Sequence, residues 1–242
     1  MKKQLIAVFV STLCVVFASV GVAQKKLTPW TEWSKKDAQK ILDDSGWGQT
    51  QVETDTSELF YQPTARGGVN AGQRDSEGAT NQATSVKYHL RFFSARPVRM
   101  ALVRLIELGQ AGQLDAATDA RLKNFAELSS DYSIIVTATY ESGDQRFANR
   151  VMQGFNSATA ATLKNNTYLE RNDGKRLFVG EYAPPGRDGF GARFIFPRTV
   201  DGQPFLTPDA GEVRFFSEVD KSVKLNMRFK LAAMMYEGRL EY

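Results

Sequence analysis

Val223-Lys224-Leu225-Asn226-Met227-Arg228-Phe229-Lys230-Leu231 places an apolar side chain at every second position without a break. Side chains alternate across a strand, so this period of two describes a strand with one buried and one solvated face. Working back along the chain, Val213 to Val219 gives a second strand, and Phe190, Ala192, Phe194 and Phe196 alternate in a third. Asn172-Asp173-Gly174, between Tyr168–Glu170 and Arg176–Tyr182, carries a hairpin-turn signal. Pro184 to Gly191 is expected to be a wide turn, because its glycines lie between two strands, whereas a phosphate-binding glycine loop opens a helix. The C-terminal third is therefore expected to be mostly strands, in an antiparallel sheet.

Upstream the pattern mixes periods. Val86, Tyr88, Leu90 and Phe92 alternate with Lys87, His89 and Arg91, a half-buried strand. Pro97 opens a helix whose buried stripe is Val98, Ala101, Leu102, Leu105 and Ile106 and which Gly109 stops. A second helix is expected from about Asp115 to Leu128, a buried strand from Tyr132 to Tyr140, and a further helix from Gln145 to Phe155. Nearer the start, Ser34 caps a helix and Asp37 answers it; Ala38, Ile41 and Leu42 share one face, and Ser45-Gly46 ends the run. Gln49 to Thr56 reads as an edge strand, and Gln62 to Ser85, with almost nothing to bury, as a long mobile polar loop. The fold class is α+β: N-terminal helices packed on a largely antiparallel sheet, without the βαβ rhythm of a nucleotide fold.

Residues 1–23 are expected to be a cleavable signal peptide. Lys2 and Lys3 precede an apolar Leu5-to-Val20 run, and Gly21-Val22-Ala23 suits signal peptidase. Cys14, the only cysteine, would leave with it, and residues 24–242 would form a single α+β domain stabilised by packing alone. Removing Lys2 and Lys3 takes the 31 basic residues to 29 against 27 acidic ones, a balance that does not predict nucleic-acid binding. No later apolar run has spanning length, so no transmembrane helix is expected after cleavage.

No motif specifies a reaction, a metal or a cofactor. A single histidine, His89, excludes a two-His zinc site, and it is expected on a surface or sheet face beside Lys87 and Arg91. Trp30, Trp33 and Trp47 crowd around the first helix; they would form a platform for sugar rings or an apolar partner, or else pin the helix by burial, which large aromatic rings favour. Arg91, Arg96, Arg99 and Arg104 surround a strand–helix junction where Ser94 and the first helical N–H groups could hold an anion; a solvated helix face is the expected reading of such arginines, since Pro97 removes an amide donor and there is no glycine-rich loop. Asp43-Asp44 and Glu53/Asp55 are acid pairs of the kind a glycosidase needs, and the first of them reads as solvated charge. At the terminus Met234, Tyr236, Leu240 and Tyr242 alternate around Gly238. This resembles the aromatic-terminated signal of outer-membrane barrels, but helices upstream make a C-terminal sheet strand the expected reading.

Pro29-Trp30-Thr31-Glu32-Trp33-Ser34-Lys35-Lys36-Asp37-Ala38-Gln39-Lys40-Ile41-Leu42-Asp43-Asp44-Ser45, followed by Trp47 and Gln49-Thr50-Gln51, resembles a family of uncharacterised exported bacterial proteins. The resemblance implies export, to the periplasm or outside the cell, and no activity. The function expected is non-enzymatic binding of a ligand or an envelope partner, a protein or a glycan. The alternative is a periplasmic hydrolase of a polysaccharide or ester that works through two carboxylates.

Overall fold

The computed structural model describes residues 28–55, 84–110 and 112–242. The expected signal peptide lies outside them, as does the expected loop up to residue 83; Thr84 and Ser85 already belong to a strand. In chain order the first half runs α1 (Lys35–Asp43), β1 (Gly48–Asp55), β2 (Thr84–Phe92), α2 (Arg96–Gly109), α3 (Ala116–Glu127), β3 (Ser133–Ser142), α4 (Gln145–Ser157) and α5 (Ala160–Leu163). The second half is β4 (Thr167–Arg171), β5 (Arg176–Phe178), β6 (Glu181–Ala183), β7 (Ala192–Pro197), β8 (Thr199–Val200), β9 (Gln203–Pro204), β10 (Glu212–Glu218), β11 (Lys224–Lys230), β12 (Met235–Tyr236) and β13 (Arg239–Leu240). The class is α+β, and the C-terminal third is mostly strands.

The strands of that third do not make one sheet. They divide between a five-stranded sheet of order β1-β2-β3-β7-β6 and a four-stranded sheet of order β11-β10-β4-β5, antiparallel throughout. The expected strand from Arg176 to Tyr182 breaks where the chain changes sheet. The Val179 amide donates to Thr167 O (3.1 Å) in the second sheet, and the next amide, of Gly180, donates to Ile195 O (2.9 Å) in the first.

The period of two explains why the sheets pack face to face. Val86, Tyr88, Leu90 and Phe92, with Ile134, Val136, Phe194 and Phe196, are buried on one face of the first sheet. Val213, Phe215, Leu225 and Phe229 are buried on one face of the second. The faces meet through edge-on ring pairs, Phe92–Phe229 at 4.9 Å and Phe194–Phe215 at 5.2 Å between centroids. Two buried hydroxyls pair across the strands: Thr167 Oγ1 and Ser217 Oγ, opposite each other on β4 and β10, are 2.8 Å apart. Gln51 of β1 joins the sheets at one margin, donating to Lys224 O and accepting from the Asn226 amide, both at 2.8 Å, as a backbone edge would.

The other face of the first sheet carries three helices: α1 lies on β1 and β2 and packs against α2, which packs against α3. Ser34 and Asp37 form the expected capping box at the start of α1. Among the described residues no helix is long and apolar enough to cross a membrane.

The terminus is not a strand of either main sheet. After β11 a 3-10 turn over Leu231–Met234 redirects the chain into the small β12–β13 hairpin, whose turn residues Glu237 (φ 49°) and Gly238 (φ 77°) both take positive φ. Met234, Tyr236 and Tyr242 are all buried: Tyr236 meets Trp47 of the α1–β1 turn, and Tyr242 lies under Arg198.

Gly191, at the start of β7, has φ +80°, and a Cβ there would stand 2.2 Å from Ala138 O. Gly191→Ala is therefore expected to cost at least about 2 kcal/mol, read as a lowered urea midpoint. Gly189→Ala has the same sign of φ in open space and separates the backbone cost from the clash.

Candidate functional site

Two of the three tryptophans are anchors, and the third stands at the lip of a cleft. Trp30 is 8% exposed and its indole N–H donates to Glu127 Oε1 at 2.9 Å. Trp47 is 9% exposed and donates to Glu241 O at 2.9 Å, tying the α1–β1 turn to the terminal hairpin. Trp33 is half-buried, and its indole reaches only to Thr28 O (3.0 Å).

The cleft has a volume of about 460 Å³ and lies between α1, the start of α2 and the hairpin. Trp33, Ile41, Trp47, Pro97, Met235 and Tyr236 form its apolar lining, and Asp37, Lys40 and Asp44 stand on the α1 side. This is the size and composition of a small-ligand site: apolar walls with a few polar groups.

Local chemistry builds each wall. Ser45 Oγ donates to Ile41 O (2.6 Å) and accepts from the Trp47 and Gly48 amides (3.1 Å each), which turns the chain sharply after α1. Gly46 permits the close approach of the hairpin, since a Cβ there would lie 2.2 Å from Ala233 O. Trp47 meets Tyr236 edge-on at 6.4 Å, and the Arg96 guanidinium lies 5.5 Å from the Tyr236 ring centre. Burial pushes the Tyr236 hydroxyl above its usual range.

The arginines of the strand–helix junction do not converge on a free anion site, and they are not a solvated face. Arg91 donates to Asp43 Oδ1 (2.8 Å), Leu42 O (3.0 Å) and Thr139 Oγ1 (3.1 Å) beneath α1. Arg99 is buried and donates to the carbonyls of Phe93, Ser94 and Leu128, with its pKa lowered by desolvation. Ser94 Oγ accepts from the Ile135 amide (2.9 Å). Arg104 donates to Trp33 O (2.8 Å) and Glu107 (3.0 Å). Arg96 pairs with Glu241 (2.9 Å) and Glu237 (3.1 Å), and its own amide donates to Glu241 Oε2 at 3.5 Å. The anion expected at the start of α2 is thus the chain's own Glu241.

His89 takes the sheet-face placement, on the helix-covered face of the first sheet, and is buried there. Its Nδ1 stands 3.0 Å from Asp43 Oδ1 and 3.1 Å from Thr50 Oγ1. A carboxylate only accepts, so the contact with Asp43 assigns the proton to Nδ1. A hydroxyl nucleophile would need to sit at Nε2, which faces Glu141 at 3.6 Å, so Thr50 is wrongly placed for a triad. Asp43 is not solvated charge either: burial opposes its ionisation, but hydrogen bonds from His89, Arg91 and Gln39 hold its carboxyl well below the usual range. Asp44, next to it, is exposed at the cleft.

Acid–base hydrolysis needs one carboxyl raised above its neighbour. Each Asp or Glu with a resolved shift among the described residues is lowered, including Asp37 in the cleft, which accepts from Ser34. Sequence reasoning missed Ile41, Met235 and Tyr236 as site residues. The terminal aromatic alternation was the only signal for Tyr236, and it says nothing of what the ring meets. No protein-family model, curated protein or solved structure matches the chain.

Proposed function

We propose that this is an exported binding protein that holds a ligand or an envelope partner, without catalysis, in the cleft of Trp33, Ile41, Trp47, Pro97, Met235 and Tyr236. The observation that carries this reading is the convergence of Trp33, Trp47 and Tyr236, from opposite ends of the chain, on one apolar recess with charged groups along a single side. Such a recess suits an apolar ring face, from a sugar or from a partner's side chain. Of the two carboxyls in the cleft, Asp37 is engaged in the capping box of α1, which leaves the hydrolase alternative without a free pair there. Export rests on the apolar Leu5-to-Val20 run with its Gly21-Val22-Ala23 site, and on the likeness of residues 29–51 to an exported family.

Tryptophan fluorescence of the purified protein, titrated with neutral oligosaccharides and with peptides bearing aromatic residues, tests the reading. Trp33→Ala is expected to weaken binding about tenfold, roughly 1.4 kcal/mol, while leaving the melting temperature close to wild type. Trp47→Ala is expected to lower the melting temperature, because it removes a buried anchor. Unaltered binding by Trp33→Ala would remove the cleft as the site.

A further inference from the structure

Among the described residues the second sheet buries one face in the sandwich and leaves the other open, and the side chains on that open face are ordered in rows by strand register. Phe178, Tyr168, Phe216 and Asn226 stand directly opposite one another across β5, β4, β10 and β11. The next row is Arg176, Glu170, Arg214 and Arg228. The rings form a packed file, Phe178–Tyr168 at 5.8 Å and Tyr168–Phe216 at 5.1 Å, and Arg176 covers Tyr168 at 4.5 Å.

The charges of the second row do not balance. Glu170 accepts from Arg176 and is 3.6 Å from Arg214. Arg214 also donates to Asn226 Oδ1 at 2.7 Å, which aims its guanidinium across the sheet. Directly opposite it is Arg228, exposed and, among the described residues, without a carboxylate within ion-pair distance. Like charges directly opposite each other on a sheet repel. In the flanking positions the pairs are of opposite sign, Glu212 with Lys230 and Glu218 with Lys224. The positive excess is therefore local to Arg214 and Arg228, and it lies beside an apolar file that ends in Phe178, 44% exposed.

We propose that this face binds a carboxylated polysaccharide laid across the strands, its carboxylates received between Arg214 and Arg228 and a sugar ring resting on the exposed Phe178. Arg forks match carboxylates, and the three steps from β5 to β11 span about 14 Å, which suits a chain of sugar units. Single-stranded nucleic acid fits poorly, because successive bases need a run of open ring faces and in this file only Phe178 is exposed. An acidic peptide would add as a strand at a sheet edge, and Gln51 already occupies the edge of β11.

Affinity electrophoresis of the purified protein in polygalacturonate, with dextran as the neutral polymer, tests this. Retardation is expected in polygalacturonate alone, weakening as salt rises. Arg228→Glu, at an exposed position, is expected to lower the affinity at least tenfold with an unchanged melting temperature, and Phe178→Ala about threefold. Trp33→Ala is expected to leave it unchanged, which separates this face from the cleft. The proposal is overturned by no retardation at low salt, by full binding of Arg228→Glu, or by loss of binding in Trp33→Ala. Binding of poly-L-glutamate, oligo-dT or phosphatidylglycerol vesicles as tightly as polygalacturonate would also overturn it.

Discussion

Phe215→Ala is expected to destabilise the protein by about 3–5 kcal/mol, the largest effect of any substitution considered. Phe215 is fully buried in the middle strand pair of the second sheet, opposite Leu169 and Met227, and its ring touches both Phe194 and Phe196 of the first sheet. Truncation opens a cavity between two hydrogen-bonded sheets, neither of which can collapse into it without breaking its own ladder. Phe215→Leu keeps most of the volume and is expected to cost less than half as much. Urea denaturation of the three proteins gives the difference. A cost for Phe215→Ala below about 1 kcal/mol would mean that the two sheets do not share one rigid core.

The second large effect is expected at Asp43. Asp43→Ala leaves the Arg91 guanidinium and the His89 Nδ1–H, both beneath α1, without their carboxylate, at about 2–4 kcal/mol. The charge also sits at the C-terminal end of α1, where the helix dipole disfavours an anion, so Arg91 and His89 are what hold it there. The pH dependence has a definite sign. The folded-state pKa is depressed below the ordinary 3.8, so the carboxylate's contribution is fully present well above 3.8. It is lost as the pH falls below 3.8 toward the folded value. The stability gap between wild type and Asp43→Asn is expected to be flat from about pH 5 to 7 and to close on acidification. A gap that widened on acidification would contradict the assigned bonds.

Much of the fold was legible because its signals are local. The capping box of Ser34 and Asp37, the turn at Asn172-Asp173-Gly174 and the unbroken alternation in β2, β7 and β11 each depend on residues a few positions apart. Charge and helix-dipole reasoning also offers the start of α2 as a place for an anion, although it favours a solvated face there. What it could not supply was the identity of that anion, Glu241, which arrives from 145 residues away.

The same boundary separates Asp43 from Asp44. Side by side in sequence they look alike, yet one is the half-buried partner of Arg91 and the other faces the cleft. Alternation declares which face of a strand is apolar, but not what covers it, so a single expected sheet became two when the chain changed partners at Val179 and Gly180. By itself the sequence determined the class, the elements and the polarity of their faces, since these follow from steric and hydrophobic periods within a few residues. Only the tertiary structure decided that Trp33 and Trp47 meet Met235 and Tyr236 in one cleft and that Arg214 and Arg228 stand opposed on an open face. Those juxtapositions depend on which distant surfaces pack together, which no local period encodes.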